Sequence, residues 1–118
     1  MAGRLTTHVL DTALGTPARS MRYTLFKLGP NGERSLITRG ETDGDGRSPV
    51  PLLSGSGMEV GSYSLEYDVN DYHVGTGQAP DAPFLDVVTL AFRICDTSQH
   101  LHVPLLISPF GYTTYRGS

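Results

Sequence analysis

Three polar features could do chemistry in this chain. His8 sits in the middle of "LTTHVLD", Arg47 follows "DGDG" directly, and His100 and His102 are spaced i, i+2 in "HLHVPLLIS". Imidazole titrates near neutral pH and so can take or give a proton at working pH. A guanidinium grips planar anions such as carboxylates through paired hydrogen bonds. Imidazoles together with a guanidinium would make a histidine-arginine site. Each also has a plainer reading: a surface or hydrogen-bonded His8, a solvated Arg47, and solvent-facing histidines. His8, His100 and His102 would supply three nitrogens to zinc, but no ligand spacing backs that set. "DGDG" starts like a calcium loop yet lacks the remaining ligands and closing Glu, so a pair of turns is expected. Cys95 has no activating neighbour and is expected to be a buried thiol.

The elements that must position these residues read as strands. In "LTTHVLD", Leu5, Thr7 and Val9 share one face and Thr6, His8 and Leu10 the other. "MRYTLFKL", "GPNGE" and "RSLITRGE" predict a hairpin over residues 21–41. "SYSLEYDV" predicts a half-buried strand with Tyr63, Leu65, Tyr67 and Val69 inward. A two-turn helix with Asn70 or Asp71 as its N-cap follows in "NDYHVGTGQ". "FLDVVTLAFRI", "HLHVPLLIS" and "YTTYR" complete the strands. In the second of these Leu101, Val103, Leu105 and Ile107 form the core face, so His100 and His102 point away from it. Pro104 cannot donate to a ladder, which predicts an edge or a bulge there. Seven or eight short strands and at most one helix give an all-β, two-sheet sandwich.

The chain has 118 residues, enough for one domain (1–118) with one core. Its 14 Gly and 8 Pro favour many turns, and its net charge of −3 offers no basic footprint for nucleic acid. No apolar run reaches the roughly 20 residues that span a bilayer, and the N-terminus lacks a signal-peptide core. One cysteine allows no internal disulfide. A reduced, cytoplasmic setting is the expectation.

The stretches "LTTHVLDTALGTPA", "DGDGR" and "HLHVPLLISPFGYTTYRGS" resemble, in order and along essentially the whole chain, the 5-hydroxyisourate hydrolase branch of the transthyretin-like family. The terminal Tyr-Arg-Gly-Ser is the most specific mark of the likeness. "PFLDVV" and Phe110 depart from the common pattern without touching the functional set. The resemblance implies a transthyretin-like sandwich of about eight strands with one short helix. It further implies a homotetramer, a dimer of dimers, with sites in the channel between dimers. It implies hydrolysis of 5-hydroxyisourate to 2-oxo-4-hydroxy-4-carboxy-5-ureidoimidazoline, in urate and purine breakdown, without metal or other cofactor. His8, Arg47, His102 and Ser118 would be catalytic. His8, Arg47, Tyr115, Arg116 and Gly117 would bind substrate. A transthyretin-like module that binds a flat small molecule without chemistry is the competing reading.

Overall fold

The computed structural model describes residues 3–117. Its strands are β1 (Arg4–Asp11), β2 (Thr16–Pro17), β3 (Arg22–Leu28), β4 (Arg34–Glu41), β5 (Leu53–Ser54), β6 (Gly61–Asp68), β7 (Val87–Ile94), β8 (His100–Ser108) and β9 (Gly111–Thr114). The helix α1 spans Val69–Gly75. Two sheets face each other, one in the order β2-β1-β8-β9 with β5 also against β1, the other β4-β3-β6-β7. The strands named in the sequence are present. The two-residue strands β2 and β5 are additions too short to carry a periodicity.

Alternation dictates the core. Leu5, Thr7, Val9 and Asp11 of β1 are buried, while Thr6, His8 and Leu10 are only partly covered. Val103, Leu105 and Ile107 of β8 join them, against Leu25, Leu65, Tyr67 and Leu90 of the facing sheet. Each fully buried Leu contributes about 1.5–3 kcal/mol. A polar clasp crosses the core: Thr7 donates to Val103 O at 2.7 Å and accepts from the Tyr67 hydroxyl.

The 21–41 hairpin forms through β3 and β4 and closes at Gly32, whose φ of 81° is the left-handed region that glycine occupies freely. Leu25 pairs with Thr38 and Phe26 with Leu36, so Ile37 is bulged out of this edge strand.

Three expectations change. The helix starts at Val69, with Asp68 at its N-cap position, rather than after Asn70 or Asp71. Val69 is buried either as a strand residue or as a helix residue, so alternation cannot separate the two. β9 stops at Thr114, short of Tyr115 and Arg116. Cys95 is exposed because β7 ends at the buried Ile94 and the next residue leaves the sheet.

Pro104 lies in an inner strand, and its missing N–H is accommodated on one side only. Towards β1 the parallel ladder runs unbroken from Arg4–His100 to Asp11–Ile107. Towards the C-terminal segment, pairing lapses between Leu105–Thr114 and His102–Gly117. The interruption is where Pro104 would have had to donate.

Candidate active site

The parallel pairing of β1 and β8 brings two outward faces together. Thr6 stands opposite His102 and Arg4 opposite His100. The Thr6 hydroxyl therefore lies between the two rings, 2.7 Å from His100 Nε2 and 2.8 Å from His102 Nδ1. The rings meet edge-on, 6.2 Å apart. As alternation predicts, neither histidine points into the core.

Arg47 is delivered by a tight loop docked on β1. Asp43 Oδ1 accepts the backbone N–H groups of Asp45 and Arg47, and Asp43 O accepts that of Gly46. The expected pair of turns is thus present, with the Asp43 carboxylate used inside it. Gly46 has φ 76°, and its O accepts the Val9 N–H at 2.7 Å. A Cβ there would collide with Val9 O, so both the dihedral and the close approach require glycine. His8 Nε2 donates to Asp45 O at 2.8 Å, since a carbonyl can only accept. His8 pairs with Arg47 in an isolated bridge. The imidazole thus braces the loop that presents the guanidinium.

The C-terminal segment returns over β8. Gly117 N–H donates to His102 O at 2.8 Å. A Cβ on Gly117 would lie 2.7 Å from His102 Cδ2 and 3.1 Å from its Cβ. Only a bare backbone passes this close to the ring. Tyr115 and Arg116 face elsewhere: they line a groove with Phe92, Leu101 and Tyr112, and Arg116 donates to Gln99 Oε1 at 3.0 Å. Ser118 lies outside the described residues.

Arg47, Thr6, His100 and His102 share a cleft of about 430 Å³ that Arg4, Pro49, Val50 and Pro51 also line. His8 braces this cleft without lining it. Within one protomer the structure thus brings together Arg47 and His102, with His8 and Gly117 behind them. It leaves Tyr115 and Arg116 outside the cleft. A larger hollow of about 510 Å³, beside α1, carries mixed charges from Arg19, Arg22, Glu41, Asp68 and Asp71 but no histidine. Size alone would favour it. Chemistry favours the histidine cleft.

Burial pushes the His102 pKa below the ordinary imidazole value, and the charges of Arg47, His100 and His8 push the same way. Both effects favour the neutral ring, which keeps a lone pair. Among the described residues none hydrogen-bonds His102 Nε2. No three His, Cys, Asp or Glu side chains among them converge as a metal would require. His8, His100 and His102, which the zinc reading would use, do not form such a group.

Thr6 and Arg4 carried no signal in the sequence. A threonine in a strand is an ordinary strand former, and an arginine at a strand start is an ordinary surface charge. Only the non-local β1–β8 register shows what their side chains face.

A two-sheet sandwich bearing imidazoles and a guanidinium on the outer face of one sheet is the class of protein that this geometry defines. The family model described as HIUase/Transthyretin matches residues 5–117. The chain is 52% identical to the 5-hydroxyisourate hydrolase of Ralstonia nicotianae, over 98% of this chain and 99% of that one. It is 44% identical to the mouse protein of that name, over 97% of this chain and 94% of that one. Among solved structures, sea bream transthyretin in complex with thyroxine superposes with a TM-score of 0.88 at 30% identity, covering 97% and 94% of the two chains. A chain described as (S)-allantoin synthase superposes at 0.93 with 41% identity, and there this chain covers 99% of itself but only 44% of that longer chain. The chain belongs to the HIUase/transthyretin family.

Proposed function

We propose that the chain is a 5-hydroxyisourate hydrolase. The reaction adds water across a cyclic amide bond of the oxidised purine, opens its six-membered ring, and yields 2-oxo-4-hydroxy-4-carboxy-5-ureidoimidazoline. The observation that carries the reading is one cleft lined by His102 and by Arg47, whose guanidinium no described residue engages, in a chain half identical, along its whole length, to proteins named for that reaction.

Hydrolysis needs a placed water, an acceptor for its proton, and a donor for the oxyanion. His102, neutral and open at Nε2, takes the proton from water as its oxygen bonds to the ring carbonyl carbon. Arg47 holds the ureide edge and steadies the charge that develops on the carbonyl oxygen. The ring nitrogen then leaves with a proton. His8 holds the Arg47 loop through Asp45 and shares in proton transfer. Gly117 lets the terminal segment close over His102, and Ser118 orients substrate at that end.

The sites complete themselves in a homotetramer, where Tyr115 and Arg116 reach substrate from a neighbouring subunit. Leu14, Phe110 and Tyr112, apolar and exposed in the single chain, support such an assembly. Freshly made 5-hydroxyisourate decays on its own, so the test is acceleration of its ultraviolet decay in proportion to added protein. Decay at the spontaneous rate would leave the small-molecule-binding reading in its place.

A further inference from the structure

The Thr6 hydroxyl has one proton, yet it lies within hydrogen-bond distance of two ring nitrogens, His100 Nε2 and His102 Nδ1. It can donate to one of them only, so the other must donate to it. Both nitrogens can donate to Oγ1 when the hydroxyl proton points elsewhere, and two arrangements place that proton between the rings. In one, His102 Nδ1–H donates to Thr6 and Thr6 donates to His100 Nε2, leaving His102 Nε2 as a bare lone pair facing the cleft. In the other, His100 Nε2–H donates to Thr6, Thr6 donates to His102 Nδ1, and the His102 proton sits on Nε2. With the hydroxyl proton between the rings, the two tautomers are coupled through a single oxygen.

We propose that Thr6 and His100 form a proton relay that sets the tautomer of His102 and passes its proton to and from solvent. This rests on His102 acting on water as proposed above, and it adds two positioning residues that do not themselves touch substrate. The balance is complete. His102 Nε2 takes a proton from water; Nδ1–H passes to Thr6 Oγ1 while the Thr6 proton passes to His100 Nε2. His100, exposed at the cleft rim, then releases its Nδ1 proton to water. His102 is left neutral with a proton on Nε2, ready to be given to the departing ring nitrogen. As it is given, the shifts reverse and His100 recovers a proton from water. One imidazole thus serves as base and then as acid without being held as a cation beside Arg47.

The charges around the relay favour this division. Arg4 and His8 approach from β1 and Arg47 from the docked loop, while Arg116 is turned to Gln99. A cation is tolerated better on exposed His100 than on partly buried His102. Nothing in the fold needs the Thr6 hydroxyl. Its neighbour Thr7, turned inward, is the one that ties Val103 and Tyr67 together.

The test uses Thr6→Val, Thr6→Ser and His100→Asn in the full chain, with turnover across pH and the His102 ring-nitrogen shifts read by NMR without substrate. Thr6→Val keeps the shape and strand preference of the residue and is expected to lower kcat about 10–100-fold, with KM within about twofold. Thr6→Ser should recover most of the rate. His100→Asn should show a similar kcat loss, partly rescued by added imidazole. In Thr6→Val the His102 tautomer should no longer respond to His100 titration. A Thr6→Val protein with wild-type kcat, or with the two histidines still coupled, overturns the relay. If Thr6→Val does not fold, exposed His100→Asn carries the same decision: full kcat without imidazole dependence overturns it. If wild-type protein fails to accelerate decay at all, the functional reading falls, and the substrate-free tautomer coupling still decides the hydrogen-bond chain.

Discussion

Strand β1 carries two polar clusters on opposite faces, and they are finished differently. Inward, Asp11 accepts the N–H groups of Ala13 and Leu14, the Tyr72 hydroxyl and the Gln78 amide. Burial alone would raise its pKa, but these hydrogen bonds outweigh it and hold the carboxyl below the usual value. Every oxygen is used, and the group fastens α1 to the sheet. Outward, Thr6 and the braced His8 help to present a His102 nitrogen and an Arg47 guanidinium that no described residue engages. Buried polar groups are normally satisfied. A cluster that uses all its hydrogen bonds builds the fold, whereas one that keeps some open at a cleft is equipped to meet a ligand.

That contrast can be broken from either side. The largest effect is expected from Arg47→Ala: a loss of about 10²–10³ in kcat with an unchanged melting curve, since the side chain is exposed and makes no hydrogen bond to the described residues. Steady-state turnover with a thermal melt checks both halves. Asp11→Ala is the mirror case. It leaves two N–H groups, a hydroxyl and an amide without their acceptor, costing about 3 kcal/mol and lowering Tm by on the order of 10 °C. Its kcat below the transition should stay near wild type, and a collapse of kcat in the folded protein would erase the distinction. Gly117→Ala should cost about tenfold in kcat through displacement of the His102 ring, with little change in Tm.

The smallest effect concerns His73, a buried residue of α1 whose Nε2 has no partner among the described residues. Burial depresses its pKa, with the Asp11 charge only partly opposing. The folded state therefore resists a proton that the unfolded chain accepts near pH 6.5. Stability is present above that pH and falls as pH drops below it, by at most about 1.4 kcal/mol per unit from this group. Denaturant midpoints at pH 7.0 and 5.5 should differ less in His73→Leu than in wild type.

The parts of this molecule that obey a local period could be read from its residues. The faces of β1, the 21–41 hairpin, the inward Tyr63, Leu65 and Tyr67, and the outward pair in β8 all follow from alternation. Local rules lose force where two answers bury the same side chain, as at Val69. They lose it again where a strand is only two residues long, and where it ends, as at Cys95. The site divides in the same way. His8, Arg47 and His102 could be singled out by residue type and by resemblance. Thr6 could not, because its role comes from lying opposite His102 across a parallel pairing some 96 residues distant in the chain. Tyr115 and Arg116 sit in the Pro104 gap in the ladder, and the motif alone does not show that they leave His102 and line another groove.

The most direct measurement is the ring-opening rate of His102→Ala, taken on protein whose circular dichroism and melting curve match wild type. The account predicts acceleration reduced by about 10²–10⁴, close to spontaneous decay. A folded His102→Ala protein that opens 5-hydroxyisourate as fast as wild type would contradict it.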